Sequence, residues 1–185
     1  MSKTVYTQRQ SANIPPELRA MDQWANWHGD KVIRNCHTSA NGSSTNPNTW
    51  GSFAQALRRD PDHLVFVFAR NGGLAGIDLD HCRNPETGEI ESWAQDVVDR
   101  FPHVYWEVSL SGTGLHGIGY GALPTEKSGW HPDRIGIFHH SRYFVVTGDA
   151  LPGHETLGDF GDDLADWCHE TFPPDKPIGL SLIHI

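Results

Sequence analysis

The sequence predicts an α/β (α+β) fold: a compact core in which a mixed or antiparallel sheet is flanked by helices. Three observations predict it. Leu64-Val65-Phe66-Val67-Phe68 is a continuous apolar run of strand length. Leu74-Ala75-Gly76-Ile77-Asp78-Leu79-Asp80-His81 reads as a second, buried strand that ends in two carboxylates, and Asn71-Gly72-Gly73 between the two predicts a tight turn and a hairpin. Residues 89–101 instead repeat Ile90, Trp93, Ala94, Val97, Val98 and Phe101 at helical spacing, with Pro102 as the stop.

The remaining elements follow in chain order. Residues 1–13 read as a polar leader. Pro15-Pro16 opens a short helix over 14–21, because proline in a first helical turn forfeits no hydrogen bond. Strands are expected at 23–28 and 31–34, then a Gly/Ser/Asn/Pro loop at 41–48. Thr49 is the expected cap of a helix over 50–59, with Phe53, Ala56 and Leu57 inward. Strands are expected at 104–108, 115–120, 135–138 and 143–147, with an irregular stretch at 121–134. Phe160, Leu164, Trp167, Cys168 and Phe172 mark a last amphipathic helix. The domain is therefore drawn over 14–172, and 173–185 is set aside as a truncated or artefactual tail.

With 185 residues, 37% of them apolar, and 7 Trp and 8 Phe, the chain can fill one core. Three scattered cysteines, Cys36, Cys82 and Cys168, suit reduced thiols. No apolar run reaches membrane-spanning length and no signal-peptide pattern opens the chain, so a cytoplasmic location and no membrane partner are expected. The net charge of −9 argues against a broad stand-alone DNA-binding surface. It leaves room for a small site that takes a nucleotide through a metal.

Two stretches carry chemistry. Asp78 and Asp80 lie two apart at the end of a strand, so they share a face, and oxygen ligands there suit a divalent cation. Residues 109–116, Ser-Leu-Ser-Gly-Thr-Gly-Leu-His, combine glycines that let backbone N–H groups approach an anion with two hydroxyls and a histidine. Ser111, Gly112, Thr113, Gly114 and His116 are the candidate phosphate contacts, joined by Arg142. Lys31 and Arg34 are weaker candidates. His139-His140 has the chemistry of a metal-ligating pair. Cys36-His37 and His81-Cys82 lack zinc-ligand spacing.

Five segments in order carry a family resemblance: Ile14-Pro15-Pro16-Glu17-Leu18-Arg19 with the tryptophan pair Trp24 and Trp27, Asn46-Pro47-Asn48-Thr49-Trp50-Gly51-Ser52-Phe53, Gly76-Ile77-Asp78-Leu79-Asp80-His81-Cys82, Ser111-Gly112-Thr113-Gly114-Leu115-His116, and Arg142-Tyr143-Phe144-Val145-Val146-Thr147-Gly148-Asp149. Together they resemble the primase–polymerase (PrimPol-like) catalytic domains of the archaeo-eukaryotic primase superfamily, phage and plasmid type. The resemblance implies a core with an RNA-recognition-motif-like sheet. It implies that Asp78 and Asp80 hold Mg²⁺ or Mn²⁺, and that His116 holds the phosphates of an incoming nucleoside triphosphate. It further implies nucleotidyl transfer on a DNA template, with a helicase as C-terminal or separate partner. One departure stands out. The family's third motif supplies a carboxylate from a later strand, and here that position falls near Gly136. His139 is the alternative ligand, while Asp133 and Asp149 each need a shifted register. Two other expectations therefore stand beside polymerisation: a catalytically degenerate nucleotide- or DNA-binding module, and a metal-dependent phosphohydrolase or nuclease.

Overall fold

A computed structural model describes residues 10–29, 32–124, 129–131 and 134–173. Lys31, Asp133, most of the polar leader and the tail from 174 lie outside the described residues. Helix α1 (Pro16–Arg19) precedes β1 (Trp24–Trp27), β2 (Ile33–Arg34), α2 (Phe53–Arg59), β3 (Leu64–Phe68) and β4 (Leu74–Leu79). Helix α3 (Ser92–Arg100), β5 (Tyr105–Val108), β6 (Leu115–Tyr120), β7 (Gly129–His131), β8 (Ile135–Phe138), β9 (Arg142–Val145) and α4 (Asp163–Thr171) follow. The strands form two antiparallel sheets, ordered β2-β1-β3-β9 and β5-β6-β4-β8-β7. The expected α+β class is what the chain adopts. No helix among the described residues is long and apolar enough to cross a membrane.

Three corrections to the expected elements have physical causes. The chain does reverse between β3 and β4, with Asn71 and Gly73 both at positive φ. The two strands do not pair, however: β3 joins the first sheet and β4 the second. β3 is buried throughout and β4 everywhere but Asp78, so stacking in two layers buries them as fully as pairing would. Helix α2 is capped by Ser52 in a reciprocal capping box with Gln55, not by Thr49. The reason is Gly51, whose N–H and C=O both bond Trp24 and hold that segment extended. The stretch expected to be irregular contains edge strand β7, paired with β8.

The sheets sandwich an aromatic core of Trp24, Phe66, Phe68, Tyr105, Phe138 and Phe144. The opposite face of the second sheet packs Ile77, Leu79, Trp106 and Leu115 against α3 and α4. Alternation along β4 therefore sends Leu79 to the helices and Asp78 to the inter-sheet side. Gly76, on the same face as Asp78, is where the layers touch most closely. A Cβ there would overlap Phe68 and come within 2.7 Å of Phe144.

Candidate active site

The register of three strand pairs builds one row across the second sheet. Glu107 on β5 faces His116 on β6, His116 faces Asp78 on β4, and Asp78 faces Gly136 on β8. Directly opposed residues put their side chains on the same face. The structure thus brings together Asp78 and His116, which the sequence places 38 residues apart. The imidazole Nε2 lies 3.6 Å from Asp78 Oδ1, and Nδ1 lies 3.6 Å from Glu107 Oε1. The ring also stacks on Phe144 of the facing sheet, at 4.4 Å between centroids and 14° between planes. Asp80 follows two residues after Asp78, just beyond the strand, and its N–H donates to the Arg134 carbonyl.

Burial raises the Asp78 carboxyl above its ordinary range, with the His116 charge opposing and Asp80 reinforcing the shift. For His116 burial works downward, but Glu107 and then Asp78 and Asp80 outweigh it, so the imidazole is raised. At 3.6 Å both contacts are charge–charge contacts and not short hydrogen bonds.

The 109–114 loop is a closed hairpin turn between β5 and β6, with Gly112 at φ +77°. Its N–H groups at Gly112, Thr113 and Gly114 donate within the loop, to Ser109 O, Ser111 Oγ and Ser109 Oγ. The loop is pinned to the segment after Asp80: Cys82 and Arg83 donate their N–H groups to Thr113 O, and Arg83 Nη1 donates to Gly112 O. Gly114 packs so closely that a Cβ would sit 2.6 Å from Leu79 O. What the loop presents outward is the linked hydroxyl pair of Ser111 and Thr113, 2.8 Å apart.

The other candidates fall elsewhere. Arg142 is exposed at the start of β9, its guanidinium 5.5 Å over the Phe138 ring. Phe138 faces Gly76, two residues along β4 from Asp78, so Arg142 lies beside the row and not in it. His139 follows β8 at the end away from the carboxylates, its ring against His140 at 4.5 Å. It stands three residues, about 10 Å along a strand, from Gly136. Asp149 is beside β5, at the opposite edge of the sheet from β8. Cys36 and Cys82 belong to different cores. Among the described residues no three His, Cys, Asp or Glu side chains converge as a metal centre.

The donor chemistry decides how a cation fits. Asp78 and Asp80 are hard oxygen donors of the kind that hold Mg²⁺ or Mn²⁺ when substrate phosphates and water fill the remaining positions. The row offers no further accessible carboxylate, because Glu107 is fully buried. The residues therefore fit an open, substrate-completed cation site.

Glu107 and Phe144 are the site residues that the sequence did not reveal. The one signal was a charged residue inside the apolar run Tyr-Trp-Glu-Val, an expensive placement unless it is paired.

With this geometry in hand, one comparison bears on the chain. Over 156 residues it is 26% identical to the DNA primase-polymerase of Nitratiruptor phage NrS-1. The chain is similar to a phage primase-polymerase. The match takes in 77% of the chain but only 22% of the relative, so the chain spans about a fifth of that protein's length. No family model matches the chain.

Proposed function

We propose that the domain carries out template-directed nucleotidyl transfer in the DNA replication of a phage, plasmid or other mobile element, within the cytoplasm of its host. The observation that carries this reading is the placement of Asp78 beside His116, with Asp80 and the 109–114 loop at the same end of the sheet. The primase-polymerase similarity supports it.

In this reading His116 and the hydroxyls of Ser111 and Thr113 bind the triphosphate, and Arg142 adds charge at the rim. Asp78 and Asp80 hold Mg²⁺ or Mn²⁺, which when bound neutralises phosphate charge and lowers the pKa of the attacking 3′-hydroxyl. The 3′-oxygen forms a bond to the α-phosphorus, the bond to pyrophosphate breaks, and the hydroxyl proton leaves to solvent. The two-layer core holds His116 rigid against Phe144, so the phosphate contact is pre-organised.

The template is proposed to lie towards the first sheet, because charge is segregated along the chain. Residues 1–70 carry eight Lys and Arg against five Asp and Glu, whereas residues 71–185 carry six against eighteen. Only the first part favours a polyanion. A cavity of about 390 Å³ at the edge of the first sheet, lined by Trp27, His28, Arg34 and Arg59, has the stacking surface and cations that suit single-stranded DNA. A helicase, fused or separate, is the proposed replication partner.

A second reading, nucleotide or DNA binding without catalysis, is favoured by Gly136 in the row. Extension of a primed template with labelled nucleotide and Mn²⁺ decides between them. Incorporation that disappears in Asp78→Ala/Asp80→Ala supports transfer. Triphosphate binding without incorporation supports the binding module, and strand cleavage without incorporation points to a nuclease.

A further inference from the structure

Glu107 is the one acidic side chain among the described residues that is fully buried. A carboxylate removed from water is costly unless donors surround it. Glu107 has them: its carboxylate accepts from the Tyr105 hydroxyl at 2.7 Å and from the N–H groups of Thr147 and Gly148 at 3.1 and 2.9 Å. Thr147 and Gly148 follow β9, so these bonds tie β5 of the second sheet to the segment carrying Phe144. The remaining direction of the carboxylate points at His116 Nδ1.

The imidazole is therefore held from two sides by one residue. Glu107 meets its Nδ1 edge directly. Through the 147–148 segment it also fixes the strand whose Phe144 ring lies flat against the imidazole. A histidine ring that faces a buried carboxylate at one nitrogen and stacks on an aromatic ring at one face presents the other nitrogen in a preferred direction. Here that nitrogen is Nε2, which faces Asp78.

We propose that Glu107 is a positioning residue for triphosphate binding: it orients the His116 ring, from Nδ1 and through the segment that follows β9, so that Nε2 faces the phosphate site beside Asp78. This rests on the reading of His116 as a triphosphate ligand. It adds a role for a residue that never reaches the substrate.

The alternative is that Glu107 only staples the two sheets through Thr147 and Gly148. Tyr105→Phe is the control for loss of stability alone: it deletes a bond within β5 that holds the buried carboxylate, without touching His116. The experiment compares Glu107→Gln, Tyr105→Phe, His116→Ala and the Glu107→Gln/His116→Ala double variant. It measures calorimetric binding of a non-hydrolysable nucleoside triphosphate with Mn²⁺, ring ¹⁵N signals of His116, and thermal melting. Glu107→Gln is expected to weaken binding about tenfold and to move the His116 ring signals, as loss of a charged orienting partner does. Tyr105→Phe is expected to lower the melting temperature while leaving binding within about twofold. Glu107→Gln should add nothing to His116→Ala, because both remove the same contact. Equal weakening by Glu107→Gln and Tyr105→Phe, or additive effects in the double variant, overturns the proposal. If Glu107→Gln does not fold, the wild-type ring decides. Slow exchange at Nδ1–H supports orientation by Glu107, and exchange as fast as that of a solvated imidazole overturns it. Wild type that binds no triphosphate, or His116→Ala that binds as tightly as wild type, would instead sink the underlying reading, while the ring signals still report whether Glu107 orients His116.

Discussion

Gly136 stands directly across the β4–β8 ladder from Asp78. The position nearest the proposed cation-binding carboxylate on that side therefore carries no side chain at all. Gly136→Asp is expected to tighten Mn²⁺ binding about tenfold, because oxygen-ligand count sets affinity at such sites. Without metal the same change should lower stability by about 0.2–1 kcal/mol, since like charges then face each other. Mn²⁺ titration followed by electron paramagnetic resonance, with melting curves in and out of metal, checks both. Unchanged Mn²⁺ affinity would mean that Asp78 is not a cation ligand.

Gly76→Ala tests the contact between the layers. The added methyl meets Phe68 and lies 2.7 Å from Phe144. Overpacking of this kind costs about 1–3 kcal/mol. Because Phe144 stacks on His116, triphosphate binding should weaken as well. Urea unfolding and nucleotide titration of the variant give the two numbers. A stable variant with normal nucleotide affinity would show that the layers separate easily.

Much of this site was legible in the sequence, for local reasons. Asp78 and Asp80 end an apolar run, and a run of that kind is a strand wherever it is buried on both faces. His116 follows a Gly-rich turn and opens an apolar stretch, Leu115 to Tyr120, that reads as a strand. Local signals failed where the deciding partner was distant. The Asn71–Gly73 turn signals reversal but not which layer the chain enters, and two apolar strands satisfy either outcome. Glu107 is a lone charge in an apolar run, and the donors that make it tolerable, Thr147 and Gly148, are 40 and 41 residues away. Thr49 is a suitable cap residue, but Ser52 with Gln55 three residues on completes a capping box, and the pairing of Gly51 with Trp24 keeps the helix from starting earlier.

The cysteines should be inert in the native protein. Burial pushes Cys82 and Cys168 up to about 11 and also raises Cys36. At pH 8 the thiolate fraction of the first two is then about a hundredfold below that of an ordinary thiol. Iodoacetamide labelling followed by mass spectrometry should find little modification in native protein and three modified sites after unfolding. Rapid native labelling of Cys82 would mean that the α3 face opens readily.

Acid should loosen the clasp between α3 and α4. Arg100 bonds both Asp163 oxygens, at 2.6 and 2.8 Å, and Glu170 at 2.5 Å. These bonds hold both carboxyls below their ordinary values. A carboxyl depressed in the folded state stabilises fully above its unfolded pKa, near 4, and that stabilisation is lost as the pH falls through the folded value. The groups are exposed, so the gain is modest and weakens with salt. Wild type should melt above Arg100→Gln at pH 7, and the difference should shrink towards zero by about pH 2. A difference independent of pH would assign the effect to packing of the Arg100 stem.

The sheet order also dictates when the site can come into being. The first sheet recruits β1, β2 and β3 early but receives β9 only after every strand of the second sheet has been made. The Val65–Val145 pairing spans 80 residues, a long-range closure of the kind that costs loop entropy before it gains contacts. On the ribosome, a nascent chain emerged only through β8 holds Asp78, His116 and Glu107 yet lacks Phe144, Thr147 and Gly148. The proposed nucleotide site is thus completed only with the last strand and the segment after it, and until then β3 has an unpaired edge of the kind that a chaperone or a second nascent chain can pair with.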